Sequence, residues 1–291
     1  MAAITSSPPV VVIPSERAGA FSVGVQRFVL TLGRALLSVV LILVIWQLLL
    51  LSWGENLAFT TRGPIDVWRF AFGADTPPEV RQRILSNLWI TLGDAGLGLL
   101  VGTLGAIAMA FAFNLFRPLE QAFMPVAMVL RSVPLVAMTP LMATVFGRGL
   151  VSVAMVGAIV TFFPTLVNVT LGLRGTPQQS VDLVKAYGAN RLYTLSRIQF
   201  PNALPQLFAA LRASAPLAIT GAMLAEFLLT GKGLGNTINV DRNQFKYDSM
   251  WTQAALATLA SVLVYSIFVG IEGSVLARFA PDRAKASKVK A

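Results

Sequence analysis

What this chain of 291 residues can do chemically is limited first by what it lacks. It holds no histidine and no cysteine. Thiol nucleophiles, disulfides and the commonest metal ligand are therefore excluded. Thirteen Asp and Glu are scattered along it, so carboxylate metal sites stay open, but no paired intramembrane aspartates stand in a motif context. The Gly231-Lys232-Gly233 triplet has neither the upstream glycine nor the following Ser or Thr of a phosphate-binding loop. ATP hydrolysis by that route is excluded, and any uphill work must draw on a partner or an ion gradient. No catalytic residue, metal site or cofactor is expected in this chain. The remaining candidates are charges inside apolar runs, which are functional candidates by default. Arg131 either lines a pathway or snorkels to the nearer face. Glu226 pairs with Arg131, gates a pathway, or forms a structural ion pair. Asp94 and Glu272 are weaker candidates.

The elements that must position these groups are membrane helices. The sequence is 55% hydrophobic and 12% charged, against about 25% charged in an average soluble domain. Apolar runs of about 20 residues recur, the length that crosses a bilayer as helix. Six spans are predicted, at about 35–53, 88–113, 123–146, 150–172, 204–229 and 251–278. The second carries Gly98, Gly102, Ala106 and Ala110, small residues whose spacing lets helix backbones approach closely. They serve packing within one subunit or a subunit interface. The third is irregular, because Pro125, Pro134 and Pro140 each remove a helical hydrogen bond. Residues 1–34 read as a disordered cytoplasmic segment, without a signal-peptide pattern. Residues 35–278 read as the transmembrane domain and 279–291 as a basic cytoplasmic tail. The cluster Arg278, Arg283, Lys285, Lys288 and Lys290 after the last span places that end inside. An even span count then puts both termini in the cytoplasm of a multi-pass membrane protein. The net charge of +10 suits a membrane surface or a partner, or merely fixes topology; nucleic-acid binding is not expected.

Between the fourth and fifth spans lies a polar island, Asp182-Leu183-Val184-Lys185-Ala186-Tyr187-Gly188, followed after nine residues by Ile198-Gln199-Phe200-Pro201. The pattern predicts two short helices over 176–201. Thr176 N-caps the first, Pro177 takes its first position, and Gln179 completes a capping box. Gly188 ends that helix, Asn190 caps the next, and Pro201 breaks it. Such a capped hairpin at a membrane face offers a grip to a soluble partner. Lys185 and Arg191 either make polar contacts there or are solvated charge.

This island resembles the cytoplasmic EAA loop of permease subunits of type I ATP-binding-cassette importers, the binding-protein-dependent transport family. Gly188, Ile198 and Pro201 match that loop at its spacing. Asp182 stands for its Glu, Leu183 and Val184 for its two Ala, and Phe200 for its Leu. The resemblance extends over about 60–280. Leu130-Arg131-Ser132-Val133-Pro134 and Ala225-Glu226 with Gly231-Lys232-Gly233-Leu234-Gly235 are similar to segments of the nitrate/sulfonate/taurine branch, as is Gly63-Pro64-Ile65-Asp66-Val67-Trp68. The resemblance implies an all-α permease whose EAA-like hairpin couples to an ABC ATPase, one ATPase copy under each of two permeases. The second permease is another copy or a paralogue. An extracytoplasmic binding protein delivers a small solute, and ATP with magnesium is bound by the ATPase partner. The coupling residues so implied are Asp182, Leu183, Val184, Lys185, Gly188, Arg191, Ile198 and Pro201. Arg131, Pro134 and Glu226 are assigned to the translocation pathway, where Arg131 favours an anion. The rival readings are an ion-coupled secondary carrier, which predicts inverted repeats and paired intramembrane acids, and a membrane-embedded enzyme, which needs a nucleophile or metal set.

Overall fold

The computed structural model describes residues 37–52 and 59–279, the side chains of 130–131 and 276–279 excepted. The predicted N-terminal segment and basic tail thus lie almost wholly outside the described residues. Helix α1, Leu37–Ser52, is the described part of the expected first span and belongs to a separate N-terminal unit. The second unit, residues 65–291, carries the rest of the architecture.

Every regular element described is helical. Helix α2 is Pro64–Phe72 and α3 is Pro78–Leu115. Then come α4, Arg117–Ser132, α5, Leu135–Phe146, and α6, Leu150–Arg174. The short α7, Gln178–Ala186, precedes the long α8, Arg191–Leu229. Helix α9 is Gly233–Asn243 and α10 is Tyr247–Phe279. Among the described residues α3, α6, α8 and α10 are long and apolar enough to cross a membrane. With 38 residues α3 is about 57 Å long, well beyond the ~30 Å hydrocarbon core.

The core is the packing of α3 and α8 on α6. It is close because the facing residues are small. A Cβ added at Gly98 would lie 2.8 Å from the Gly157 Cα, and one at Gly102 would lie 2.1 Å from Thr161 Oγ1. Ala106 and Ala110 continue the same buried stripe. The small-residue surface of the second span is therefore used for packing within the subunit. Lipid tails are as apolar as leucine, so close backbone approach replaces the hydrophobic effect as the packing force.

Two expectations need correction. The third span is not one irregular helix over 123–146 but two helices meeting at Val133 and Pro134. Pro134 has ψ 125°, outside the helical region, and is the residue before α5. It has no N–H to donate and its ring disfavours helical geometry at the residue before it. Pro125 and Pro140, by contrast, sit inside helices. The second correction concerns Pro201, which does not break its helix. Helix α8 runs through it, because a π-turn at Leu195–Gln199 immediately precedes it. The wider turn relieves the clash that a proline ring makes with the preceding turn of an α-helix. The second helix of the predicted hairpin is thus the foot of α8.

Candidate functional site: a capped turn at one end, a carboxylate clasp at the other

The turn between α7 and α8 is set by three local devices. Gly188 has φ +84°, a region glycine enters without steric cost. Its N–H donates to the Lys185 carbonyl at 2.9 Å, and the Ala189 N–H donates to the Val184 carbonyl at 3.0 Å. This paired closure is a Schellman motif. The Asn190 side chain then accepts from the Tyr193 N–H at 2.7 Å, capping α8. Thr176 does not cap α7: Pro177 precedes that helix and no side chain caps it. The Thr176 hydroxyl instead accepts from Asn202 Nδ2 at 3.2 Å, joining the start of the hairpin to α8.

The turn presents several large apolar and aromatic side chains outward. Tyr187 is 86% exposed, and Leu183, Leu192 and Tyr193 are each more than half exposed. Val184, Tyr187, Gly188, Ala189, Asn190 and Tyr193 line a shallow cleft of about 390 Å³. Asp182 accepts from Gln178 Nε2 at 2.8 Å, one turn back on its own helix. Lys185 and Arg191 are exposed, and Ile198 lies half-buried in the π-turn. Of the predicted coupling residues, Leu183, Val184, Lys185, Gly188 and Arg191 thus sit at the turn, while Ile198 and Pro201 form the base of α8.

Glu226 lies near the other end of α8 and is completely buried. Its Oε2 accepts from Thr91 Oγ1 on α3 and from the Gly235 N–H, both at 2.9 Å. The Leu234 N–H donates to Thr91 Oγ1 at 2.9 Å, and the Gly233 N–H to Asn87 Oδ1 at 3.0 Å. Three successive N–H groups at the start of α9 are thus satisfied by a carboxylate, a hydroxyl and an amide. The carboxylate at the positive end of α9 is electrostatically favourable. This geometry explains the glycines. A Cβ on Gly233, at φ +85°, would fall 2.1 Å from Glu226 Cδ, and one on Gly235 would fall 2.0 Å from the Met223 carbonyl oxygen. Among the described residues the partners of Glu226 are the Thr91 hydroxyl and the Gly235 N–H. The Arg131 side chain lies outside the described residues; its backbone is near the end of α4, just before the Pro134 break.

The far end of α9 is held by a second buried carboxylate that sequence reasoning missed. Asp241 accepts from Arg83 Nη2 on α3 at 3.2 Å and from Gln253 Nε2 on α10 at 2.7 Å, with Ser249 donating as well. Two further cross-helix pairs were missed: Arg212 with Glu272 at 2.8 Å, between α8 and α10, and Arg174 with Glu120, between α6 and α4. Each joins residues far apart in sequence, so no local spacing reveals them. Glu272, a weak candidate in the sequence, therefore has a partner in Arg212. No group of three or more carboxylates among the described residues is placed to hold a metal ion.

Comparison with known proteins places this architecture. The family model described as "Binding-protein-dependent transport system inner membrane component" matches residues 102–278. The chain is similar to the riboflavin transport system permease RibX of Chloroflexus aurantiacus, with 38% identity over 56% of this chain and 60% of the relative. It is also similar to a probable ABC transporter permease of Haemophilus influenzae, with 29% identity over 79% of this chain and 90% of the relative. A chain of the MetNI methionine ABC transporter, crystallised facing inward, shares the fold with TM-score 0.59 and 16% identity. That match covers 69% of this chain and 99% of the MetNI chain. Helices crossing at glycines, an apolar turn at one end and a carboxylate clasp at the other are thus the frame of a transport subunit: this chain belongs to the family of inner-membrane components of binding-protein-dependent transport systems, the permease subunits of ABC importers.

Proposed function

We propose that the α7–α8 turn is the coupling element of this permease, gripped on the cytoplasmic face by an ABC ATPase that supplies the ATP chemistry. The observation that carries this reading is the pairing of a rigid turn with outward apolar side chains. Tyr187 at 86% exposure, with Leu183, Leu192 and Tyr193, lies on a backbone locked by the Schellman closure and the Asn190 cap. Exposed aromatic and aliphatic anchors on a preorganised backbone are what a partner groove binds at little entropic cost. The polar Asp182, Lys185 and Arg191 rim the patch, and Ile198 and Pro201 join it to α8.

In this reading α1 and the broken α4–α5 segment complete a six-span permease with both termini in the cytoplasm. Two permeases, identical or paralogous, each carry one ATPase, and an extracytoplasmic binding protein delivers the solute on the α9 side. Arg131 and the Pro134 break line the pathway, where the arginine favours a small anion. An unpaired cation facing lipid would cost roughly 2.5–3.5 kcal/mol, which favours a pathway role for Arg131 over a lipid-facing one. Glu226 serves the pathway by fixing α9 against α3.

The test is co-purification of the tagged chain from its native membrane. An ATPase subunit is expected to accompany it and to be lost when Tyr187 and Leu183 are both changed to Ser. A wild-type chain purifying without an ATPase, or the double variant retaining it fully, would refute the docking role.

A further inference from the structure

We infer that Arg174 and Glu120 are positioning residues that carry movement of the α7–α8 turn to α4, and through α4 to the break at Pro134; this rests on the docking role proposed above. The reason is connectivity. Helices α6 and α8 continue covalently from the two sides of the turn, and are moved by the chain itself. Helix α4 is separated from the turn by the whole of α5 and α6, and only side-chain contacts can move it. Arg174, the last residue of α6, stands three residues before Pro177 at the start of α7, and its guanidinium meets the Glu120 carboxylate at the first turn of α4. Glu120 is only 8% exposed. Its pair with arginine is a charge-assisted hydrogen bond from Nη2 to Oε2, with the carboxylate side buried and the arginine reaching out to the surface.

An apolar contact runs beside it. Phe123 of α4 packs on Phe113 with ring centroids 5.7 Å apart. Phe123 and Met124 lie against the buried cluster that holds Leu173, next to Arg174, and Leu195 of the π-turn. The start of α4 is therefore seated where α6 ends and α8 begins. Its far half buries Ala127 and turns Val126, Met128 and Val129 outward, each more than half exposed. A helix seated at its start carries a tilt there along its length, as a larger displacement at Pro134. Two sites couple through contiguous contacts of this kind when both bias one element.

The absence of cysteine makes the test direct. In the assembled permease–ATPase complex, single cysteines are placed at Met128 on α4 and, separately, at Gln179 on α7. Their reaction with N-ethylmaleimide is timed without nucleotide and with ATP plus vanadate. With Arg174 and Glu120 intact, Gln179→Cys should be shielded by the ATPase. The Met128→Cys rate should change roughly fivefold or more on adding nucleotide. In Arg174→Gln the shielding at 179 should persist while the change at 128 falls below about twofold. The charge swap Glu120→Arg with Arg174→Glu should restore it, which a merely destabilised α4 would not do. A full nucleotide response at 128 in Arg174→Gln overturns the inference, as does its absence with both residues intact, or failure of the swap to rescue. Loss of shielding at 179 with both residues intact refutes the docking role itself.

Discussion

The two ends of α8 solve opposite problems. At its start, the α7–α8 turn satisfies its backbone locally and leaves its apolar side chains unsatisfied. Tyr187 and Leu183 face outward while Gly188, Ala189 and Asn190 close the turn. At its end, the clasp draws its hydrogen-bond partners from distant helices, and its two carboxylates, Glu226 and Asp241, are both completely buried. A surface that keeps its backbone rigid and its side chains free is complete only with a partner. A buried network whose partners come from within the fold acts by holding helices together. The turn end is therefore read as a coupling surface and the clasp end as scaffold, although both carry the residues that the family resemblance singles out.

Substitutions should separate these roles. The largest effect is expected at Gly233→Ala, where a left-handed backbone and the 2.1 Å approach to Glu226 act together. Overpacking and backbone strain should cost about 3 kcal/mol, seen as a large drop in Tm of the detergent-solubilised protein. A Tm unchanged from wild type would mean the clasp is not scaffold. Next, Glu226→Ala should cost about 2–3 kcal/mol by orphaning the Thr91 hydroxyl and the Gly235 N–H, and Glu226→Gln about 1 kcal/mol, since an amide oxygen still accepts from Gly235. Equal loss for both variants would show that the charge, not the hydrogen bonding, holds α9.

The turn end should respond in the opposite sense. Gly188→Pro forces φ from +84° toward about −65° and deletes the N–H that closes the turn. The protein should still insert, with a drop in Tm smaller than that of Gly233→Ala because the turn is exposed, while ATPase stimulation in the assembled complex falls about tenfold, from a loss of ~1.4 kcal/mol in the coupled state. Unchanged stimulation would show that the turn does not transmit. Tyr187→Ala should leave Tm alone and weaken ATPase binding by about 1–2 kcal/mol, as for an interface anchor, measurable by titrating the ATPase onto the permease in nanodiscs. The smallest effect is expected at Asn190→Ala, about 1 kcal/mol for the lost cap, read as faster amide hydrogen exchange over 191–194 alone.

Much of the turn was legible in the sequence, because its determinants are local. The glycine at 188 and the asparagine two residues later specify a Schellman closure and an N-cap whatever surrounds them. The same locality misled at Pro201 and Thr176. Proline is a helix breaker only when the preceding turn is α-helical, and the π-turn at Leu195–Gln199 changes that condition. Thr176 is a good cap in isolation, but Asn202 on α8 claims its hydroxyl.

The sequence by itself determined that this is a helical membrane protein without thiol, imidazole or P-loop chemistry, with a capped polar turn between two spans and a family signature around it. Composition, span length and cap patterns decide those properties over a few neighbouring residues. Only the tertiary structure decided that the Gly98 stripe packs within the subunit, that the third span parts at Pro134, and that Glu226 accepts from Thr91 and from the first turn of α9. It alone paired Arg83 with Asp241, Arg174 with Glu120 and Arg212 with Glu272. Those outcomes depend on which helices cross where. A charge in an apolar run states that a partner is needed, but the partner is set by a crossing point tens to more than a hundred residues away.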